Sequence, residues 1–310
     1  MLRFIMTDIF ENKIEQYPLS CTINMEEDVP ADSLFASFHF FECNELKSVE
    51  VYDKDELIFK GLVDEQLTRI NENGDFIELS ARNMASILLD NESVPVSYNN
   101  PSTAVIKKKH LSPFLMDTKE QSNDTYFGNL TVLKGESNYK ALESFCKKVY
   151  KKIVRVEKTG EVSFNGIKKD KTVCFSNDNK GIAYQEFSEN IKRCEDISKV
   201  KIKVVNSSGY HTVVENKDAL ERGIVRERYL NAVLTDTPVV FAQTMINKAK
   251  QKSYLISLKC KGQQLGVFGC DALVKDRKKG ELSNLYVSSV RYSLNSKGET
   301  TAVTLKRKDV

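Results

Sequence analysis

Two stretches near opposite ends of the chain read as the same kind of object. Residues 49–81 (VEVYDKDELIFKGLVDEQLTRINENGDFIELSA) read as strand, turn, strand, then an Asn73-Gly74 hairpin signal and a further strand. Residues 282–306 (LSNLYVSSVRYSLNSKGETTAVTLK) read as strand, a Lys297-Gly298 turn and a closing strand. In the first stretch Ile77, Leu79 and Ala81 share one face while Phe76, Glu78 and Ser80 share the other, the period of two that a half-buried strand requires. Thr301, Val303 and Leu305 alternate in the same way in the second. Two small antiparallel units flanking a different middle point to a scaffold before they point to a catalyst.

Between them the pattern changes. Arg82 to Asp90 (RNMASILLD) closes the strand-rich front as a short helix packing Met84, Ile87 and Leu88. Residues 91–136 carry Pro95, Pro101 and Pro113, Asn99-Asn100 and many Ser and Thr, the composition of a connection and not of a core element. A helix is expected over residues 138–152, with Leu142, Phe145 and Val149 at helical spacing and Ser137 or Asn138 as its cap. A hairpin follows over 153–164, turning at Thr159-Gly160. From about Lys171 strands return with one inserted helix. Its start is Thr237-Pro238, and Phe241, Met245 and Ala249 are expected to line its buried face. Tyr254, Ile256, Leu258 and Cys260 then alternate as a strand. The expected division is a strand-rich domain at 1–90, a loop-rich connection with a small α+β unit at 91–170, and a second strand-rich domain with an inserted helix at 171–310.

Composition narrows the chemistry. The 310 residues are 29% charged, with 46 basic side chains against 43 acidic, so a net charge of +3 gives no general affinity for nucleic acid or anionic membrane. No apolar run approaches the roughly 20 residues that span a bilayer, and Asp8 and Glu11 interrupt the amino terminus before a secretory hydrophobic region forms. Synthesis in the cytoplasm is expected. The seven cysteines form no Cys-x-x-Cys pair and an odd count is a poor disulfide framework, so most are read as reduced, small apolar side chains.

Searching the chain for reactive motifs leaves catalytic, cofactor-binding and metal residues unassigned, and no cofactor is expected. His39, His110 and His211 are far apart and none begins a metal-ligand spacing. Residues 262–269 (GQQLGVFG) lack the Lys and Ser or Thr of a phosphate loop and read as a connection between strands. Glu26-Glu27-Asp28 and Asp53 with Asp55 and Glu56 could offer paired carboxylates, but both sit beside turn signals where solvated carboxylates are common. Lys147, Lys148, Lys151 and Lys152 read as the solvated face of the middle helix, and Lys107 to Lys109 precede His110 in the loop-rich stretch. With Tyr150 the only nearby aromatic, these lysines do not make a stacking surface for nucleic acid.

Residues 49–70 (VEVYDKDELIFKGLVDEQLTRI) and 76–95 (FIELSARNMASILLDNESVP) resemble the baseplate hub protein of contractile phage tails and phage-tail-like bacteriocins, the Mu-like hub or late-control D type. The shared pattern is a strand pair ending Gly-hydrophobic-Val-Asp, a hairpin strand ending in an Arg-containing turn, a short helix and an Asp. Residues 226–233 (RERYLNAV), the helix at Pro238 and residues 285–309 extend the resemblance over nearly the whole chain, with Ala81 standing where the family often has Gly. The resemblance implies a mainly β fold with an α+β insert, in which two similar small β-barrel domains flank a mixed α/β middle region. It further implies a structural, non-enzymatic homotrimer: an adaptor between the tail tube or a tube-initiator protein and the central spike, touching other baseplate proteins. Nucleic acid would do no more than pass through the channel it lines, and the chain would not insert into a membrane. A tail-associated cell-wall hydrolase or peptidase is the alternative reading.

Overall fold

The computed structural model describes residues 2–72, 74–118, 120, 122–167, 169–178, 180–204, 208–232 and 237–308. Asn73, half of the front hairpin signal, lies outside them. The fold is mostly β, and its chain divides into two compact units. The first holds Met1–Asp170, Lys261–Gly269 and Ser289–Thr301; the second holds Lys171–Cys260, Cys270–Ser288 and Ala302–Val310.

The first unit opens with seven strands, β1 (Leu2–Asp8), β2 (Lys13–Gln16), β3 (Ser20–Glu26), β4 (Ser33–His39), β5 (Leu46–Asp53), β6 (Glu56–Asn71) and β7 (Gly74–Asn83). They pair antiparallel in the order β3-β4-β7-β6-β5-β1-β2. Alternation does the sorting: Phe4 and Met6, Ile23, Ala36 and Phe38, Val49 and Val51, and Ile77 and Leu79 are all fully buried on one face. Phe4 meets Phe38 edge to face at 5.2 Å. Glycine is required at Gly61, because a Cβ there would lie 2.2 Å from the Arg82 carbonyl oxygen. Beyond a bulge between Val63 and Glu65, β6 leaves the core, and Leu67 and Ile70 are exposed.

The same unit continues with α1 (Ala85–Asp90), β8 (Val96–Asn99), α2 (Thr103–His110), β9 (Asn129–Val132), α3 (Asn138–Val149), β10 (Arg155–Val156) and β11 (Val162–Ser163). Leu88, Ile106, Leu111, Leu130, Leu142, Phe145 and Phe164 form its core. Residues 91–136 are therefore a correction to the sequence reading, since they supply core elements and not a bare connection. Their prolines mark starts, not disorder. Pro101 precedes a helix capped by Ser102, whose hydroxyl accepts from the Val105 amide at 3.4 Å, and Pro113 lies in the first turn of a short 3-10 helix where its missing N–H is not needed. The middle helix is capped by Ser137 as expected, but it ends at Val149. Lys151 has a left-handed backbone, φ 56°, so Lys151 and Lys152 lie beyond the helix.

The chain continues with β12 (Lys169–Ser176), β13 (Tyr184–Ile191), β14 (Lys199–Lys203), β15 (Thr212–Glu215), α4 (Lys217–Glu221), β16 (Glu227–Asn231), α5 (Pro238–Ser253), β17 (Tyr254–Lys261), β18 (Cys270–Asp276), β19 (Gly280–Asn295) and β20 (Gly298–Arg307). These belong to the second unit except for Lys169–Asp170, Lys261, the end of β19 from Ser289 and the start of β20 up to Thr301, all in the first. Tyr254, Ile256, Leu258 and Cys260 are buried in the expected alternation. The strand order is β13-β17-β20-β19-β18-β12, which repeats β3-β4-β7-β6-β5-β1 strand for strand. The closing hairpins match in length as well: a strand of 16 residues and one of 10 in each case, joined by two residues. Register agrees too, since Phe40 N donates to Asp75 O at 2.9 Å and Gly262 N to Glu299 O at 3.0 Å, the same bond in the two copies. Both strand sets are open sheets; among the described residues neither closes into the barrel that the resemblance implied.

The insert in the second copy is more than one helix. Between β13 and β17 the chain builds a separate sheet, β15-β14-β16, with β14 and β16 parallel. It covers its own core of Val200, Ile202, Leu230, Ala242 and Ile246. Pro238 is the first residue of α5, although the Thr237 side chain takes no capping bond. The buried face of α5 is Ala242, Ile246 and Ala249, not Phe241, which is 47% exposed, while Met245 is partly buried. Small alanines let the helix approach the sheet, and that closeness outweighs the larger Phe in setting the phase. The strands on either side of the insert rejoin through one bond, Lys192 N to Ser253 O at 2.8 Å.

Candidate functional site

The residues singled out for chemistry do not converge. His39 is exposed and stacks on Phe76 at 6.4 Å. His110 is buried, with Asn138 Oδ1 3.0 Å from Nδ1 and Tyr98 Oη 3.2 Å from Nε2. Burial, with Lys109 nearby, pushes His110 below the usual histidine range against the opposing hydrogen bond that its ring donates to Asn138 Oδ1. His211 is exposed in the second unit. Among the described residues no three His, Cys, Asp or Glu side chains group as a metal site.

Glu26, Glu27 and Asp28 mark the end of β3 and its turn. Asp53 accepts from Gln263 at 3.2 Å and Glu56 pairs with Lys158 at 2.7 Å, both at the β5–β6 turn. None of the seven cysteines is in a disulfide; burial pushes Cys260 up to about 11, and Cys194 is the exposed one of the seven. Residues 262–269 hold a 3-10 turn with Leu265, Val267 and Phe268 buried, and a Cβ on Gly269 would sit 1.8 Å from Ile167 O. The expected lysine face breaks up: Lys147 pairs with Glu143 at 2.7 Å, Lys148 lies over the Tyr126 ring at 4.6 Å, and Lys151 bonds the Lys148 carbonyl. No described helix is long and apolar enough to cross a membrane.

What the structure does bring together is architectural. The Arg82 guanidinium grips Asp64 through two bonds of 2.8 Å and Asp90 through bonds of 3.0 and 2.7 Å. Residues 61–64, Arg82, α1 and Asp90, which carry the resemblance, thus form one joint: Gly61 allows the close approach and the two carboxylates fix the bulge to the helix end. A second joint is fully buried. Asp32 pairs with Arg155, whose other nitrogen donates to Val29 O at 3.0 Å, and Asn83 donates to Asp32 at 3.0 Å. Burial pushes the Asp32 carboxyl up, and the Arg155 charge opposes that shift. This joint ties the first sheet to the α+β part of the same unit.

The remaining surface features cluster on the first sheet. Asp8 accepts from Asn44, Asn12 and the Phe10 and Asn12 amides, and these bonds, those from the Asn44 and Asn12 side chains foremost, hold its carboxyl down to about 2. The turn so fixed presents Ile9 and Phe10 to solvent. A hollow of about 410 Å³ runs between residues 43–46 and the outer half of β6 at Val63–Thr68, where Gln66 reaches Cys43 Sγ and the Leu46 amide. Charge is unevenly spread along the chain. Residues 1–90 hold 19 acidic and seven basic side chains, net −12, whereas residues 91–310 hold 24 acidic and 39 basic, net +15. The near-balanced total hid this contrast, which a region-by-region count would have exposed.

No family model matches the sequence, and no curated protein matches it. Its fold, however, is that of tail proteins. The tail protein of Neisseria meningitidis MC58 matches with a TM-score of 0.79 at 16% identity, over 99% of this chain and 96% of its own. The 43 kDa tail protein of prophage MuSo2 from Shewanella oneidensis matches with 0.78 at 13%, over 98% of each. A type VI secretion component of E. coli, described as similar to the T4 tail proteins gp27 and gp5, matches with 0.59 at 5%, over 95% of this chain and 74% of its own.

Proposed function

We propose that the chain is the structural hub of a contractile tail or tail-like particle, a trimeric adaptor joining the tail tube or a tube-initiator protein to the central spike. The observation that carries this reading is the six-strand order occurring twice in one chain. A body that meets a sixfold tube on one side and a threefold spike on the other must satisfy both symmetries, and three chains with two like halves each do so with the fewest parts. The full-length likeness to tail proteins supports the same role. In this reading the two strand sets serve as the barrel-class domains, at 1–90 and within 171–310, with 91–170 as the mixed part beside them. The protein is made in the bacterial cytoplasm and works inside an assembled particle, without catalysis, without nucleic-acid binding beyond the channel wall and without membrane insertion.

The test is assembly. Mixed with its spike protein, the chain should scatter light as a trimer and appear in particle images as a ring with a central opening. A stable dimer, or a monomer that stays one in the reconstituted complex, would rule the hub out. Clearing of peptidoglycan in a zymogram would favour the hydrolase reading instead.

A further inference from the structure

The internal repeat predicts a contact that one chain cannot make for itself. In the second copy the outer half of the 16-residue strand is covered: residues 289–294 of β19 pair antiparallel with residues 21–26 of β3, within the first unit, and Val290 and Tyr292 are fully buried there. In the first copy the matching half of β6, residues 65–70, pairs among the described residues with β7 alone, because β5 reaches only Leu62. Its other edge faces the 410 Å³ hollow, and Ile70, in the place of Leu294, is 71% exposed. The counterpart of β3 is β13, which pairs on one side with β17 and is otherwise an edge strand among the described residues; its Ile191 is 60% exposed.

We infer that the free edge of β6 at residues 65–70 pairs antiparallel with the free edge of β13 from a second copy of this chain. This rests on the hub reading and names the seam between its subunits. Unpaired strand edges of this length are templates for another strand. The register follows from the repeat. The core-side residues Phe187, Glu189 and Ile191 match Cys21, Ile23 and Met25 of β3. Carried over from the β19–β3 ladder, this sets Phe187 opposite Ile70, Asn190 opposite Leu67 and Lys192 opposite Glu65. Among the described residues neither Glu65 nor Lys192 has an ion-pair partner. The seam joins the acidic copy of one chain to the basic one of the next, net −12 for residues 1–90 against +10 for residues 171–310. Such a head-to-tail contact uses different surfaces on each side and can close a ring.

Disulfide trapping tests it, since directly opposed strand residues lie within bridging distance. With Cys43, Cys174 and Cys194 replaced by Ser, a full chain carrying Leu67→Cys is mixed with a tagged full chain carrying Asn190→Cys and oxidised at a concentration where light scattering shows association. A covalent dimer should form between the two kinds of chain and be lost when either is oxidised alone. Glu65→Lys and Lys192→Glu should each weaken association, and the double reversal should restore it. Association without the mixed dimer, or insensitive to both reversals, overturns this seam while leaving the hub standing. A chain that stays monomeric at every concentration and on its spike overturns both.

Discussion

Leu79 is fully buried on β7 while its neighbour Glu78 points outward to Arg69 at 3.1 Å. Leu79→Asp would bury a carboxylate with no partner and should cost about 4 kcal/mol or more. Glu78→Lys gives up one half-exposed ion pair and should stay within about 1 kcal/mol; thermal melts that shift equally would refute the strand-face assignment. His110 makes a pH prediction. Its folded pKa lies below the unfolded value of about 6.5, so its contribution is complete above that pH and is lost as pH falls through the folded value. The melting temperature should drop as pH is lowered below about 6.5, and His110→Asn should flatten the drop. The strand faces were legible because they depend on neighbouring residues alone. The bonds of His110 to Asn138 and of Asp32 to Arg155 were not, since they join residues far apart in sequence.

Among the elements, residues 91–136 show where local reading fails. Their apolar residues, Ile106, Leu111, Leu130 and Val132, are too widely spaced to form a run, yet each is buried once α3 supplies a surface. Limited trypsin digestion should therefore spare Lys107 to Lys109 under conditions that cut the exposed Arg277 to Lys279 turn; first cleavage inside 91–136 would show that the packing does not persist in solution. The inserted helix is a subtler failure. Both Phe241 and Ala242 fit a helical period, and only the sheet of β14, β15 and β16 decides between them. That sheet was missed because its strands are only four or five residues long and each carries charge, with Lys at every other position of β14.

For the molecule as a whole, the paired hairpins were legible and the twofold repeat of a six-strand order behind them was not, because its second copy is interrupted by the insert between β13 and β17. The seam proposed between copies sets oppositely charged regions against each other, so its strength should fall with ionic strength. Light scattering at low and high salt checks this, and association that strengthens with salt would contradict it. The interruption has its own consequence. Residues 193–252 enter and leave the second copy at the place where the first has only the turn between β3 and β4, and the Lys192 amide donates a hydrogen bond to the Ser253 carbonyl. A module whose two ends emerge that close behaves as a removable cassette. Replacing it with a short turn should leave β13 and β17 paired and the protein soluble, and loss of folding would show that the module is a brace. If the cassette lifts out cleanly, that corner is a place where a foreign domain could be displayed without retuning the strands beneath it.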